Sequence, residues 1–245
     1  MCKKCRLETF HHAQPSRRGL LKLFGTASVG LALGGAASAK EISKPPKPQN
    51  VVSPDASLEL LKKGNERYVE GISRRHDFKH EREALVGGQN PYAGILSCAD
   101  SRIAPEYAFD SGRGDLFVCR VAGNFANDDT IASLEYAVAI LDTPLILVLG
   151  HDSCGAVSST IKSLKDGTTL PGHLPSLVSS LAPAVKAVSG KPGDQLDNAI
   201  RQNVIDNVAK LKSATPILSS AVEQRKLRVV GGIYRLKDGR VEMIL

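Results

Sequence analysis

The sequence predicts an α/β protein, in which one domain holds a mostly parallel sheet of four to five strands flanked by helices. From Pro91 onward, short apolar runs alternate with segments of helical periodicity. The runs are continuously apolar, which is typical of strands covered on both faces of a parallel sheet. The strand candidates are AGILSC, DLFVCRVAG, PLILVLGH and LRVVGGIY, and RVEMIL is expected to add an edge strand after the Asp238-Gly239 turn.

A helical arm is predicted before the first strand. Ser53 and Pro54 form a helix start, and Leu58, Leu61 and Tyr68 place an apolar stripe on the helix that follows. A basic connector, SRRHDFKHER, comes next. Its two histidines, His76 and His80, are four residues apart and could bind a metal on one helical face. An exposed charged surface is the favoured interpretation of this connector.

Helices are also predicted between the later strands. The segment DTIASLEYAVAILD carries apolar residues at helical spacing between the second and third strand candidates. Several helices are expected over residues 154–225, with breaks at Pro171, Pro175 and Pro192. The sequence contains no internal repeat, which favours one domain over residues 55–245.

The first 39 residues have the pattern of a signal peptide. Arg17 and Arg18 precede a weakly apolar stretch rich in Gly, Ala and Leu, which ends at Ala37-Ser38-Ala39. The paired arginines favour the twin-arginine route, with cleavage after Ala39 and a periplasmic or extracellular protein. A membrane anchor is the alternative, but four glycines make the stretch a poor permanent span. Residues 40–54 are a Pro- and Lys-rich spacer.

Removal of this segment changes the charge of the chain. The formal net charge of +7 falls to +2 because residues 1–39 hold six Lys/Arg and one Glu. The basic character therefore lies largely in the targeting segment, and it does not support nucleic-acid binding. After cleavage no stable membrane span is expected, since no later apolar run reaches the ~20 residues that a transmembrane helix needs.

Cysteine usage indicates a metal site rather than a disulfide framework. Cys2 and Cys5 form a CxxC near His11 and His12, but the spacing is short for zinc and the segment precedes the cleavage site. Three cysteines remain in the mature chain, Cys98, Cys119 and Cys154. An odd number argues against simple pairing in an exported protein.

Two strand candidates end in residues suited to zinc. Cys98 follows the first, and His151 and Cys154 follow the third. In parallel sheets ligands bind beyond the carboxyl ends of the strands, so these three side chains could form a catalytic zinc site with a fourth position open. Each of these residues alone would be weak evidence, because a buried cysteine is often only a small hydrophobic residue and a strand-end histidine is often structural. Asp100 and Arg102 are expected to pair, with Asp100 acting on the metal or its water.

The chain resembles the β-class carbonic anhydrases. The resemblance is carried by CADSR at 98–102 and HDSC at 151–154, with GDLFVCR and SLEYAV between them, and it extends from about Leu58 to Ile233. It implies an α/β fold, one Zn²⁺ per chain, and reversible hydration of carbon dioxide to bicarbonate and a proton through zinc-bound hydroxide. It also implies a homodimer or homotetramer, with N-terminal helices reaching across to the partner.

The resemblance assigns roles to individual residues. The zinc ligands are Cys98, His151 and Cys154, and the Asp100–Arg102 dyad completes the centre, with Asp100 as fourth zinc ligand in a closed state. The expected substrate-binding residues are Gln89, Phe117, Ala122, Tyr136 and the backbone amide of Gly155.

The sequence departs from the family pattern at two positions. Ala122 occupies a pocket position that is commonly valine. Ile95 replaces the tryptophan of the bicarbonate-regulated members, although Arg120 and Tyr136 match their other regulatory positions. The missing tryptophan argues against the same allosteric pocket.

Two other functions remain open at this point. An enzyme on the same scaffold could hydrolyse carbonyl sulfide or carbon disulfide, which pocket shape rather than the zinc motif would decide. A non-catalytic zinc protein serving assembly or storage is the second alternative. Asp100, Arg102 and Gln89 count against it, because structural zinc does not need them.

Overall fold

A computed structural model describes residues 51–245, so the predicted signal peptide, the Cys2–Cys5 motif and most of the spacer lie outside the described residues. Eight helices and five strands are found in the described part of the chain. In order they are α1 (Pro54–Val69), α2 (Phe78–Ala84), β1 (Ala93–Ser97), α3 (Pro105–Ala108), β2 (Leu116–Arg120), α4 (Asp128–Ala139), β3 (Leu145–His151), α5 (Gly155–Asp166), α6 (Leu174–Ala187), α7 (Gln195–Lys212), α8 (Ile217–Glu223), β4 (Arg228–Tyr234) and β5 (Val241–Met243).

The strands form one sheet in the order β2-β1-β3-β4-β5. The first four are parallel, and β5 runs antiparallel to β4 at the edge. Every residue of the central strands β1 and β3 is buried, whereas the edge strand β2 is only partly buried. The predicted α/β fold with four to five mostly parallel strands is therefore confirmed.

Alternate residues of the central strands feed two separate cores. Leu145, Leu147 and Leu149 of β3 pack with α1 and α3 on one face of the sheet. Ile146 and Val148 pack on the other face with residues of α4 to α8. Because successive side chains of a strand point to opposite faces, a continuously apolar strand is required to supply both cores.

Helix α1 is anchored to its own chain. Ser53 Oγ caps its first turn by accepting a hydrogen bond from Ala56 N at 3.2 Å, as the Ser-Pro start predicts. Leu58 and Leu61 are buried. Asn65, also buried, donates to Ala108 O at 2.9 Å and to Gly239 O at 2.8 Å. Tyr68 departs from the predicted apolar stripe, since it is exposed and pairs through its hydroxyl with Tyr234.

The basic connector is largely exposed, as the favoured interpretation expects, and its second half begins the short helix α2. His80 contacts Asp77 at 2.5 Å and His76 contacts Glu81 at 3.0 Å, so each histidine is held by a neighbouring carboxylate. One predicted helix break is wrong. Pro175 lies in the first turn of α6, where backbone N–H groups have no partner within the helix, so proline there costs no hydrogen bond. Within residues 51–245, no helix is both long enough and apolar enough to cross a membrane.

Candidate metal centre

The sheet brings the ends of β1 and β3 side by side. The two strands are parallel neighbours with Ser97 opposite Leu149, so Cys98, which follows β1, lies near His151 at the end of β3. A tight turn then leads to Cys154, which occupies the position directly before the first residue of α5. Ser153 in this turn has a φ of 53°, a left-handed conformation that reverses the chain within two residues.

Three potential ligand atoms converge at this point. The Cys98 and Cys154 Sγ atoms and a ring nitrogen of His151 lie within 4.8 Å of one another, and all three residues are buried. His151 Nδ1 is 2.8 Å from Asp152 O, so Nδ1 donates its proton there and Nε2 is the ring nitrogen available to a metal. His151 Nε2 is buried without a hydrogen-bond partner, which is the state of a nitrogen that serves as a metal ligand.

The two thiols differ in acidity because they contact each other. The hydrogen bond from the Cys154 thiol lowers the pKa of Cys98 to about 4, against the effect of burial. The same hydrogen bond, together with burial, raises the pKa of Cys154. The donor set therefore carries one thiolate readily, and a bound divalent cation would stabilise the second. Two sulfurs and one imidazole fit a zinc ion with an open fourth position.

Asp100 and Arg102 form a two-point ion pair at the edge of this centre. Arg102 Nε lies 2.9 Å from Asp100 Oδ1, and Arg102 Nη2 lies 2.7 Å from Asp100 Oδ2. The backbone N–H of Arg102 also donates to Asp100 Oδ1 at 2.9 Å. The side-chain hydrogen bond from Arg102 holds the pKa of Asp100 well below its usual range. Asp100 Oδ2 is 3.9 Å from His151 Nε2, so the carboxylate stands beside the centre while it points to Arg102.

Arg120 has a structural role that the sequence did not predict. From the end of β2, its Nε donates to Cys98 O at 2.9 Å, and its Nη2 donates to Asp100 O at 2.7 Å and to Ile103 O at 2.8 Å. One guanidinium therefore binds two carbonyls of CADSR and the carbonyl of Ile103, the residue that follows it. The available signal was an arginine that ends the next apolar run after CADSR, since neighbouring parallel strands end at one edge of the sheet.

The expected substrate-binding residues separate into two groups. Gly155 begins α5 directly after Cys154, and Ala122 lies next to Gly123, whose N–H donates to Cys98 Sγ at 3.3 Å. Phe117 instead pairs with Gly94 near the start of β1, four residues before Cys98, or about 13 Å along a strand. Tyr136 on α4 contacts the Phe117 ring at a centroid distance of 6.3 Å.

Gln89 belongs to the second group. It is exposed and lies before β1, at the opposite end of that strand from Cys98. Within one chain, the structure therefore does not bring Gln89, Phe117 and Tyr136 to the metal centre.

Comparisons with known proteins agree with this geometry. A family model described as carbonic anhydrase matches residues 93–241. Carbonic anhydrase 2 of Mycobacterium tuberculosis is 40% identical over 189 residues, which cover 77% of this chain and 91% of that protein. The carbonic anhydrase of Mycolicibacterium smegmatis is 38% identical over 193 residues, covering 78% and 93%.

Solved structures give the same result. The β-carbonic anhydrase CcaA aligns with a TM-score of 0.59 and 30% identity, covering 76% of this chain and 86% of its own. Two tetrameric β-carbonic anhydrases from Sordaria macrospora are represented by a structure with a TM-score of 0.60 and 25% identity, covering 78% and 94%. The fold, the Cys-His-Cys centre and these similarities lead to one conclusion: the chain belongs to the β-class carbonic anhydrase family.

Proposed function

We propose that this protein catalyses the zinc-dependent, reversible hydration of carbon dioxide to bicarbonate and a proton. The observation that carries the proposal is the convergence of Cys98, His151 and Cys154 beside an ionised Asp100. A structural zinc site would be closed by a fourth protein ligand, whereas this centre offers three and leaves Asp100 paired with Arg102.

A zinc ion in this centre would lower the pKa of a bound water to about 7 and so supply a nucleophile at neutral pH. Cys98, Cys154 and His151 Nε2 would hold the ion, and the Asp152 carbonyl keeps the imidazole in the required tautomer. Because Asp100 is ionised and oriented by Arg102, its carboxylate is an acceptor for a proton of the nucleophile. This orients the nucleophile toward the substrate.

The start of α5 suits the product. Gly155 is exposed and is the first residue of α5 directly after Cys154, so its backbone N–H belongs to the helix N-terminus beside the metal centre. Negative charge is favoured at a helix N-terminus. We assign Gly155 N–H to the oxygens of bicarbonate.

We also propose that a second copy of the chain completes the substrate pocket. Phe117 lies on the partly buried edge strand β2, and Tyr136 lies on α4. Tyr136 is 48% exposed, and Ile140, the residue that follows α4, is 64% exposed. An edge strand with half-exposed apolar residues is a surface that another chain would cover. In a homodimer built through this surface, Gln89, Phe117 and Tyr136 of one copy would face the metal centre of the other.

Mixing two inactive variants tests this arrangement. Cys98→Ser removes a metal ligand, and Gln89→Ala removes an amide that the partner would supply. If the pocket is shared, mixed dimers regain one intact site and measurable hydration activity. Absence of recovery in mixtures shown by mass spectrometry to contain heterodimers would place each pocket within one chain.

The assay that tests the main proposal is stopped-flow hydration of carbon dioxide by the mature, zinc-loaded protein. Carbonyl sulfide and carbon disulfide are assayed in parallel, because the same centre could attack either substrate. Turnover of the sulfur compounds alone would reassign the enzyme. Stoichiometric zinc with no turnover of any of the three would indicate a zinc-binding assembly protein.

Export remains a proposal drawn from residues 1–39. Mass spectrometry of the exported protein is expected to find Lys40 at the N-terminus. Substituting both Arg17 and Arg18 by Lys is expected to retain the protein in the cytoplasm, since paired arginines define the twin-arginine signal. Continued export of this variant would instead indicate the general secretory route.

A further inference from the structure

Two buried asparagines on α7 face the loop that follows β2. Asn203 and Asn207 are 3% and 7% exposed, one helical turn apart on a face that is otherwise apolar. Burying an amide side chain is unfavourable unless its hydrogen bonds are made. Their place in the core therefore calls for specific partners, and the partners lie in residues 123–126.

The two amides form a connected ladder. Asn203 Nδ2 donates to Gly123 O at 2.8 Å, and Asn207 Oδ1 accepts from Ala126 N at 2.7 Å. Asn207 Nδ2 donates to Asn203 Oδ1 at 3.0 Å and to Asn203 O at 2.7 Å. Because Asn207 engages the oxygen of Asn203, the NH₂ group of Asn203 must face the loop.

The loop held in this way reaches a metal ligand. Gly123 N–H donates to Cys98 Sγ at 3.3 Å. Gly123 has a φ of 88°, and a Cβ there would lie 2.8 Å from Leu181 Cδ1, so this approach requires glycine. Lys210, a further turn along α7, fixes the other end of the loop through Ala126 O at 2.6 Å. One chain of hydrogen bonds thus runs from α7 to Cys98.

We propose that Asn203 and Asn207 are positioning residues for the metal centre, which act by holding the Gly123 amide on Cys98 Sγ. The inference rests on the proposed role of Cys98 as a zinc ligand. A hydrogen bond to a thiolate withdraws electron density from sulfur and fixes its direction. Loss of an outer-shell partner of a ligand typically lowers metal affinity 10–100-fold, and we expect about tenfold here because each asparagine acts through Gly123.

The test uses Asn203→Leu and Asn207→Leu, which keep the branching and the number of heavy atoms of the side chain and remove the amides. Asn198→Leu is the matched control, since Asn198 is a partly exposed α7 residue that also donates to a backbone carbonyl, Pro192 O at 3.0 Å. Each protein is loaded with Co²⁺, and the thiolate-to-cobalt charge-transfer band is recorded. With the N–H···S bond weakened, the band is expected at longer wavelength, and competition with a chelator should show about tenfold weaker zinc binding.

Unchanged bands and zinc affinities in folded Asn203→Leu and Asn207→Leu proteins would overturn the inference, as would an equal shift in Asn198→Leu. Should the variants fail to fold, the wild type decides. In ¹⁵N-labelled protein loaded with ¹¹³Cd, the Gly123 amide proton is expected to show scalar coupling to cadmium, and its absence would refute the hydrogen bond to the ligand. None of these readouts needs carbon dioxide, so a wild type that passes them without hydration activity refutes only the proposed function.

Discussion

Replacement of Arg102 by alanine removes the group that keeps Asp100 away from the metal centre. Asp100 receives three hydrogen bonds from Arg102, two from the guanidinium and one from the backbone N–H. Arg102→Ala loses the two side-chain bonds and keeps the third. Asp100 remains a carboxylate in this variant, but its nearest cationic partner is gone.

The position of Asp100 sets the size of the effect. Its Oδ2 is 3.9 Å from His151 Nε2, and a carboxylate oxygen binds zinc at about 2.0–2.2 Å. A freed Asp100 therefore competes for the fourth position of the metal. We expect kcat/KM to fall near the upper end of the 10–100-fold range typical of outer-shell changes, with zinc content unchanged. For Arg102→Lys, which keeps the charge but not the two-point geometry, kcat/KM should fall about tenfold.

Stopped-flow hydration and metal analysis measure both quantities. Arg228→Ala is the control for loss of an arginine from an ion pair, because Arg228 is similarly exposed and pairs with Asp55 at 2.6 Å, in a different part of the chain. Normal turnover of zinc-replete Arg102→Ala would show that the pair does not restrain Asp100. A loss of zinc equal to the loss of activity would assign Arg102 to metal retention instead.

Three further outcomes are expected. Cys154→Ser should lose most of its zinc in metal analysis. The control Cys119→Ser, which removes a half-buried thiol of β2, should retain its zinc. Full zinc in Cys154→Ser would exclude Cys154 as a ligand. Because Asp100 already pairs with Arg102, the wild-type pH–rate profile across pH 7–8.5 should rise as a single-proton titration, and a steeper rise would indicate a closed state at neutral pH. Asp110→Asn should lower the free energy of unfolding at pH 7 by about 2 kcal/mol in denaturant titrations. The reason is that the Asp110 carboxylate accepts hydrogen bonds from Arg67 Nε at 2.6 Å and from Arg74 N at 3.0 Å. A loss below about 0.5 kcal/mol would refute this.

The last variant also has a pH signature. Burial favours the neutral form of Asp110, but hydrogen bonds from Arg67 and Arg74 hold its pKa below the usual value. A carboxyl group whose pKa is lower in the folded state stabilises the fold above its unfolded pKa, near 4, and loses that contribution as pH falls through the folded pKa. The stability difference between wild type and Asp110→Asn should therefore shrink below pH 4.

The fold class and the Cys-His-Cys cluster could be predicted from the sequence because both depend on local patterns. Continuously apolar runs such as PLILVLG indicate strands buried on two faces, and the structure has β3 buried at every residue. Cys98 and His151 follow two such runs, and parallel strands end at one edge of a sheet, so their proximity follows from topology. The Asp100–Arg102 contact was equally local, since the partners are two positions apart in the sequence.

Tertiary structure alone decided which distant groups meet. Asn203 and Asn207 appear in the sequence as ordinary polar residues of an amphipathic helix, and only the packing of α7 against the 123–126 loop gives them partners about 80 residues away. The positions of Phe117 and Tyr136 could not be read either, because strand register sets where a residue lies along the sheet, and it depends on packing between strands. Periodicity records which side chains are buried, whereas the identity of their neighbours is set by how the elements pack.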